Sequence, residues 1–145
     1  HDVTLRVTDS AGATGTDSRV VAVVDTLPPV ISVTLTPSLL WPPDHRMVAV
    51  TALVSGSDAC GSVALTLVSA TSSEPDHALG SGVGHTLRDI QGADLGGPDL
   101  ELSLRAERSG TGRGRTYTLT YRVSALSGTA TEASSTVFVP HDRQQ

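Results

Sequence analysis

The feature that most constrains this chain is a strand-like segment that occurs twice, 116 positions apart. The segment "HDVTLRVTDSAG" at residues 1–12 aligns with "YTLTYRVSALSG" at residues 117–128. Apolar residues alternate with polar ones in the strand part of each copy, which is the pattern of a β-strand with one buried face. The chain is therefore predicted to begin with strands that normally end a β-sandwich domain, and to continue with a complete domain.

Residues 1–25 are predicted to be the carboxy-terminal β-hairpin of an incomplete upstream repeat, with "DVTLRVTD" and "RVVAVVD" as strands and "SAGATGTDS" as the turn. An isolated hairpin is marginally stable, and the second strand is apolar on both faces. We therefore expect it to find cover in the downstream domain, in a neighbouring copy or in another polypeptide. Pro28 and Pro29 predict a semi-rigid linker over residues 26–29, because proline fixes φ and lacks a backbone donor.

Residues 30–140 are predicted to form an all-β fold, an immunoglobulin-like antiparallel β-sandwich, with residues 141–145 as a tail. Short strand signals separated by turn residues, without a helical period, favour this architecture. A long loop is predicted from about residue 71 to residue 98. Tyr117 begins a strand, a position that suits a tyrosine corner, in which the hydroxyl bonds to nearby backbone. The alternative is a tyrosine that merely suits a strand.

The charge balance argues against nucleic acid as a partner. The formal net charge is −5, and binding to phosphates requires clustered positive charge. All ten basic residues are arginine, which excludes chemistry that depends on lysine, such as a Schiff base. We find no apolar run long enough to span a membrane and no signal peptide.

Several motifs resemble a known family of domains. "VTDSAGATGT" and "DTLPPVI" are similar to the junctions between tandem immunoglobulin-like repeats of the HYR and PKD types in secreted bacterial proteins. "LWPPDHRMV", "SSEPD", "RAERSGTGRGRTYTLTYRV" and "VPHD" resemble a variant of this domain in large secreted proteins of soil bacteria. The resemblance implies a β-sandwich at the cell surface or secreted from the cell. Such modules act as spacers, adhesive surfaces or accessory domains of hydrolases, so the resemblance implies no reaction.

The sequence requires no cofactor, and calcium is the better of its ligand hypotheses. The long loop is rich in glycine and acidic residues, and calcium takes six to eight oxygen ligands from flexible loops. The spacing matches no EF-hand, so a solvated acidic loop is the open alternative. The candidate ligands are Glu74, Asp76, Asp89, Asp94 and Asp99.

Other single residues invite weaker hypotheses. Trp41 is a candidate platform for a sugar ring, and the alternative is that it fills a packing gap beside two prolines. His1 would suit a copper-binding amino terminus, but no paired histidine spacing supports that interpretation. Relatives often pair a cysteine near Cys60 with a second one, which this chain lacks. We therefore expect Cys60 to be a small buried hydrophobic residue rather than a reactive thiol.

These observations predict a protein that is not an enzyme, since no nucleophile elbow or phosphate-binding loop occurs. The predicted function is that of a structural or adhesive module in a multidomain or self-assembling bacterial surface protein. Its expected partners are neighbouring domains or copies of itself, joined through the amino-terminal hairpin by strand complementation. The alternative is a glycan-binding accessory domain of a secreted hydrolase, with Trp41 in its binding face.

Overall fold

The structure is a computed structural model that describes residues 1–76 and 86–142. These residues form β-strands joined by turns and irregular segments, and they contain no helix that could cross a membrane. The strands of the described residues, in chain order, are β1 Asp2–Thr8, β2 Thr14–Val20, β3 Val30–Thr36, β4 Met47–Ser57, β5 Val63–Ser72, β6 Ile90–Gln91, β7 Glu101–Arg105, β8 Gly114–Ala125 and β9 Ala130–Pro140.

Strands β3 to β9 form the predicted sandwich. One sheet has the order β3-β4-β7-β6, and the other has the order β5-β8-β9, with all neighbours antiparallel. This arrangement corresponds to the ABED and CFG sheets of a constant-type immunoglobulin domain. The predicted all-β, immunoglobulin-like fold class is confirmed.

The core of the sandwich lies between the two sheets, with β8 at its centre. Every second residue of β8 from Tyr117 to Val123 is buried to 1% exposure or less, as the alternation in the sequence predicts. Burial of each large apolar side chain contributes about 1.5–3 kcal/mol, so this face accounts for much of the stability. The opposite sheet contributes Leu35, Val50, Ala52, Leu102 and Leu104 to the same cluster.

A short parallel contact closes the outer edge of β9. The amide of Leu40 donates to the carbonyl of Phe138 at 2.8 Å, and the amide of Phe138 donates to the carbonyl of Ser38 at 2.9 Å. The segment after β3 therefore occupies part of an edge that would otherwise present unpaired backbone groups.

The amino-terminal hairpin forms, but the predicted position of its second strand is wrong. We predicted that strand over residues 19–25, whereas β2 runs from Thr14 to Val20. The cause is a tight turn in which the Asp9 carboxylate accepts hydrogen bonds from the amides of Ala11 and Ala13, both at 2.9 Å. A turn this short makes pairing begin at Thr14, so the valine-rich segment that was expected to be a strand lies mostly beyond the hairpin.

The hairpin stands apart from the sandwich. Every residue of β1 and β2 is exposed, and β1 pairs only with β2 among the described residues. The connection to the sandwich has no regular secondary structure from residue 21 to residue 29, where Pro28 is exposed and Pro29 is buried. Strand β3 begins directly after Pro29.

The long loop predicted between residues 71 and 98 is partly structured. Strand β5 continues to Ser72, because Thr71 and Ser72 still pair with β8. Ile90 and Gln91 form β6, which pairs with β7. Residues 77–85 of this segment lie outside the described residues.

Candidate functional site

The buried charged side chains of the described residues gather in one ionic cluster, where β7 leads into β8. Arg115, near the start of β8, is fully buried and forms an ion pair with the fully buried carboxylate of Asp89. Its Nε also donates to Glu74 Oε2 at 3.2 Å, and its Nη1 donates to the Tyr117 hydroxyl at 3.1 Å. The guanidinium therefore links three segments that are distant in sequence.

Arg105 at the end of β7 is the second cation of the ionic cluster. Its Nε donates to Asp89 Oδ1 at 2.9 Å, and its Nη1 donates to the carbonyl oxygen of His45 at 2.8 Å. Its Nη2 donates to the carbonyl oxygen of Leu87 at 3.3 Å. Asp89 is thus held between two arginines, so its buried charge is compensated on both oxygens.

Glu107 extends the cluster toward the surface. Its Oε2 accepts a hydrogen bond from the Thr86 hydroxyl at 2.7 Å and lies 2.9 Å from Nδ1 of His45. Its Oε1 has no hydrogen-bond partner among the described residues. His45 has a φ of 65°, and its amide donates to the carbonyl oxygen of Ala106, so a left-handed backbone holds its ring against Glu107.

The buried environment lowers the pKa of Asp89 and raises the pKa values of Arg115 and Tyr117. Burial acts to raise the pKa of Asp89, but hydrogen bonds and charge from Arg115, with further bonds from Arg105 and Thr86, lower it below its usual value. Burial acts to lower the pKa of Arg115, and its bonds to Asp89 and Tyr117 outweigh that effect and raise it. Burial raises the pKa of Tyr117 to about 12, although Arg115 opposes the shift. All three groups therefore keep their neutral-pH charge states over a wider pH range.

Tyr117 makes the hydrogen bond that a tyrosine corner requires. Its hydroxyl, which is fully buried, donates to the carbonyl oxygen of Arg105 at 2.9 Å. This bond joins β8 to the end of β7, which lies in the opposite sheet. The guanidinium of Arg115 also lies 5.7 Å from the centre of the tyrosine ring, within cation–π range.

The five carboxylates proposed as calcium ligands do not converge on one point in the described residues. Glu74 and Asp89 bind Arg115, and Asp76 accepts a hydrogen bond from the amide of Arg88 at 2.9 Å. Asp99 accepts one from the amide of Asp94 at 2.9 Å, in the loop before β7. The structure therefore brings two of the five together around an arginine and places another two in a separate loop. Calcium binding by some of these residues stays a prediction.

A different group of possible ligands lies where the linker meets the sandwich. Carboxylates of Asp25 and Asp58 lie within 4.8 Å of each other and of the Cys60 sulfur, at the edge of a cleft of about 420 Å³. We expected Cys60 to be buried, which is wrong, since it is exposed in the loop between β4 and β5. The charge of Asp25, with smaller effects of burial and of Asp58, raises the pKa of the thiol, so it stays protonated at neutral pH.

The remaining candidates are placed as follows. The amino group of His1 donates to the carbonyl oxygen of Val21 at 2.8 Å, so the amine proposed as a copper ligand takes part in the backbone pairing of the hairpin. Trp41 is half-buried and follows the fully buried Leu40. Part of its surface therefore remains accessible to a ligand.

Our sequence interpretation missed the ionic cluster, although one signal could have revealed it. In a strand, side chains two residues apart share a face, so Arg115 lies on the same face as Tyr117 and Leu119. A charged residue at the start of an inward-facing row requires a buried partner, because an unpaired buried charge is very costly. Its partners, Asp89 and Glu74, are distant in sequence, and no local pattern identifies them.

Comparison of the chain with protein-family models, with curated proteins and with solved structures gives no match. The chemistry of the site therefore rests on the geometry described above. In that geometry Asp89, Arg105, Arg115 and Tyr117 bind one another and nearby backbone carbonyls. We interpret the cluster as a fixed ionic joint between the two sheets.

Proposed function

We propose that this chain is a non-catalytic structural and adhesive module of an extracellular bacterial protein built from several domains or copies. The motifs that resemble HYR and PKD repeats support an extracellular, tandem arrangement. The acidic net charge and the immunoglobulin-like fold are compatible with this role. The proposal assigns the chain the task of holding its neighbours at a defined distance and orientation.

The observation that carries the proposal is the contact between the linker and the sandwich. The carbonyl oxygen of Leu27 accepts a hydrogen bond from the Thr129 hydroxyl at 3.1 Å, and the Asp25 carboxylate accepts one from Ser127 at 3.4 Å. Asp25 also accepts a hydrogen bond from the amide of Leu27 at 3.1 Å, which fixes the local backbone. A spacer needs such a joint, because a free linker would let the two units move independently.

The ionic cluster gives a second line of support. Its arginines cross-link segments before β6, the end of β7 and the start of β8, so the sandwich is held together at this end by directional bonds as well as by its core. A rigid body of this kind suits a module that keeps its neighbours in fixed positions.

The joint can be tested by measuring the orientation of the hairpin relative to the sandwich with residual dipolar couplings. We expect one alignment tensor to fit both units, and we expect the double variant Ser127→Ala, Thr129→Val to need two. Ser134→Ala is the matched control, because Ser134 bonds to Thr120 on the sheet surface and does not contact the linker. Independent tumbling of the hairpin in the unmodified chain would contradict a spacer with fixed geometry.

A glycan-binding accessory domain is the second candidate, and the partial exposure of Trp41 favours it. An aromatic face can stack on a sugar ring while the indole N–H bonds to a neighbour. A pull-down with insoluble polysaccharides tests this role, with Trp41→Ala as the variant and Leu126→Ala, an exposed residue in the β8–β9 turn, as the control. Binding that is lost only in Trp41→Ala would favour the accessory domain over the spacer.

A further inference from the structure

The amino-terminal hairpin and the β8–β9 hairpin have the same register. The pairs from Asp2–Val20 to Thr8–Thr14 recur as the pairs from Thr118–Thr136 to Ser124–Ala130, and every partner is shifted by 116 positions. A slip of one residue in either hairpin would move all side chains to the other face. The two hairpins therefore present equivalent positions to equivalent faces.

The turns of the two hairpins agree in their hydrogen bonds. Gly12 and Gly128 have φ values of 86° and 91°, in the left-handed region that favours glycine. The Gly12 amide donates to the carbonyl of Asp9 at 3.1 Å, and the Gly128 amide donates to the carbonyl of Ala125 at 3.0 Å. The same turn type therefore sets the same register in both places.

The outward faces match as well. The hydroxyls of Thr4 and Ser18 are 2.9 Å apart across the first hairpin, and those of Thr120 and Ser134 are 2.9 Å apart across the second. In the sandwich this face of the sheet points away from the core. The polar face of the first hairpin is therefore its solvent face.

The inward faces of β1 and β8 are both apolar, but only that of β8 is covered. Leu119, Tyr121 and Val123 have 0%, 0% and 1% exposure in the sandwich. The equivalent residues of β1 are exposed by more than half of their surface, with values of 54% for Val3, 64% for Leu5 and 59% for Val7. The first hairpin thus carries the apolar stripe of a core without the strands that would bury it.

The strands that would bury the apolar stripe of β1 can be inferred from those that cover β8 in the sandwich. Strand β5 pairs along the free edge of β8, with Leu65 opposite Val123 and Leu67 opposite Tyr121. The sheet of β3, β4, β7 and β6 covers the inward face from the other side. For β1, the positions equivalent to Val123 and Tyr121 are Val7 and Leu5.

We propose that the amino-terminal hairpin is a docking surface for the leading strands of a second immunoglobulin-like unit, equivalent in fold to residues 30–112 of this chain. A strand like β5 pairs along the open edge of β1, and a sheet like β3-β4-β7-β6 packs on the stripe formed by Val3, Leu5 and Val7. The inference rests on the proposed modular function and names the partner that completes the module.

The charged residues of the hairpin fit this partner. Asp17 and Arg19 of β2 lie opposite Leu5 and Val3, and their side chains pair with each other at 3.6 Å. Their equivalents in β9 are Ala133 and Ser135, which are only half-buried at the margin of the sandwich. When the partner unit docks, the ion pair of β2 therefore lies at the margin and stays in contact with water. The apolar stripe of β1 then faces the centre of the new core.

The repeat offset allows a direct test on the full chain. A second copy of residues 26–116 is fused to the amino terminus, so that His1 follows residue 116 as Tyr117 does in the native order. Backbone amide hydrogen exchange is then measured for β1 in the extended and unextended chains. We expect exchange in β1 to slow by at least about tenfold on extension, because docking gives its open edge a strand partner. Unchanged exchange in β1 would overturn the proposal.

Matched variants separate specific docking from collapse. Leu5→Glu in the extended chain places a charge at the position of the buried Tyr121, and it is expected to restore fast exchange. Arg6→Glu alters the position of the exposed Arg122 and is expected to keep exchange slow. Equal effects of the two substitutions would contradict docking through the apolar stripe.

Sedimentation of the unextended chain tests the competing occupant. We expect a monomer at concentrations up to about a millimolar, because the hairpin of a second copy supplies neither a β5-like strand nor an opposing sheet. A dimer that Leu5→Glu dissociates would identify a second hairpin as the occupant and overturn the proposal. Neither result depends on the bonds of Asp25 and Leu27 to Ser127 and Thr129, which test the spacer, so failure of this inference is distinguishable from failure of the proposed function.

Discussion

The hydroxyl of Tyr117 lies 2.9 Å from the carbonyl oxygen of Arg105 and donates a hydrogen bond to it. The two residues belong to different sheets, so this bond ties the sheets together at one end of the sandwich. Tyr121 lies on the same face of β8 and is equally buried, but its hydroxyl has no partner among the described residues. Tyr121 is therefore an internal control for how much the hydrogen bond of Tyr117 contributes to stability.

We expect Tyr117→Phe to lower the free energy of unfolding by about 1–3 kcal/mol, because the carbonyl of Arg105 loses one of its two donors and the buried Nη1 of Arg115 loses an acceptor. Tyr121→Phe removes a buried hydroxyl that makes no bond there, and its effect is expected to lie within about 0.5 kcal/mol. Urea denaturation of both variants measures the difference. Equal losses would show that the corner bond contributes nothing beyond the packing of the ring.

Asp89→Asn is expected to destabilise the fold by about 3–5 kcal/mol, since it leaves the buried Arg115 without its closest counter-charge. The comparison is Glu132→Gln, which breaks the ion pair between Arg122 and Glu132 on the sheet surface. Both of those side chains are partly exposed, so a loss of about 0–1 kcal/mol is expected. Thermal and urea unfolding rank the two variants, and a similar cost for both would argue against a tightly bonded cluster.

Acid should destabilise the protein through Asp89. Its pKa is lowered in the folded state, so the unfolded chain takes up a proton while the folded chain still holds the carboxylate. The stabilisation is therefore complete above the ordinary aspartate pKa of 3.8 and is lost as the pH falls through the lower, folded value. Urea midpoints measured between about pH 6 and pH 2 should show a decline that is shallower in Asp89→Asn. A parallel decline in both proteins would assign the acid sensitivity to other carboxylates.

Gly114→Ala is expected to lower the free energy of unfolding by more than about 2 kcal/mol, because the cost of an unfavourable backbone angle and the cost of a steric clash are added together. Gly114 has a φ of 123°, and an added Cβ would lie 2.5 Å from the carbonyl oxygen of Val139. Gly128→Ala is the control, since its φ is 91° but an added Cβ would meet nothing within 4 Å. That variant should lose only about 1–2 kcal/mol. Circular dichroism melts of both variants provide the measurement, and equal losses would show that the clash with Val139 is relieved at no cost.

A calcium chelator tests the calcium prediction, and no change in the melting temperature is expected through Glu74 and Asp89. Calcium would have to displace Arg115 to reach Glu74 and Asp89, which are already neutralised. Scanning calorimetry with and without chelator, starting from calcium-loaded protein, checks this. A lower melting temperature in chelator would show a bound ion and direct attention to Asp94 and Asp99, which share a loop outside the ionic cluster.

The strands of the sandwich could be predicted because their signal is local. In β8 the alternation from Tyr117 to Val123 specifies both the strand and its buried face. The second strand of the hairpin was misplaced because valine content outweighed turn chemistry in our interpretation. Asp9 and Gly12 determine where β2 starts, and the apolar run after Val20 does not.

The ionic cluster could not be predicted in the same way. Arg115 meets Asp89 and Glu74 only because the strand order brings β6, β7 and β8 to one end of the sandwich. In the sequence those carboxylates look like any acidic residues in a glycine-rich loop, which is why calcium and a solvated loop were the two interpretations. Long-range pairing of charges is a property of the topology, and periodicity carries no information about it.

The contact of Phe138 with the segment after β3 has a consequence for solubility. An exposed strand edge can recruit strands from other molecules and begin aggregation, and the bonds to Ser38 and Leu40 occupy that edge on β9. In the part of the chain that the structure describes, no segment bonds to the open edge of strand β1. The open edge of β1 should therefore promote aggregation during storage or heating, and covering that strand should reduce aggregation in concentrated solutions.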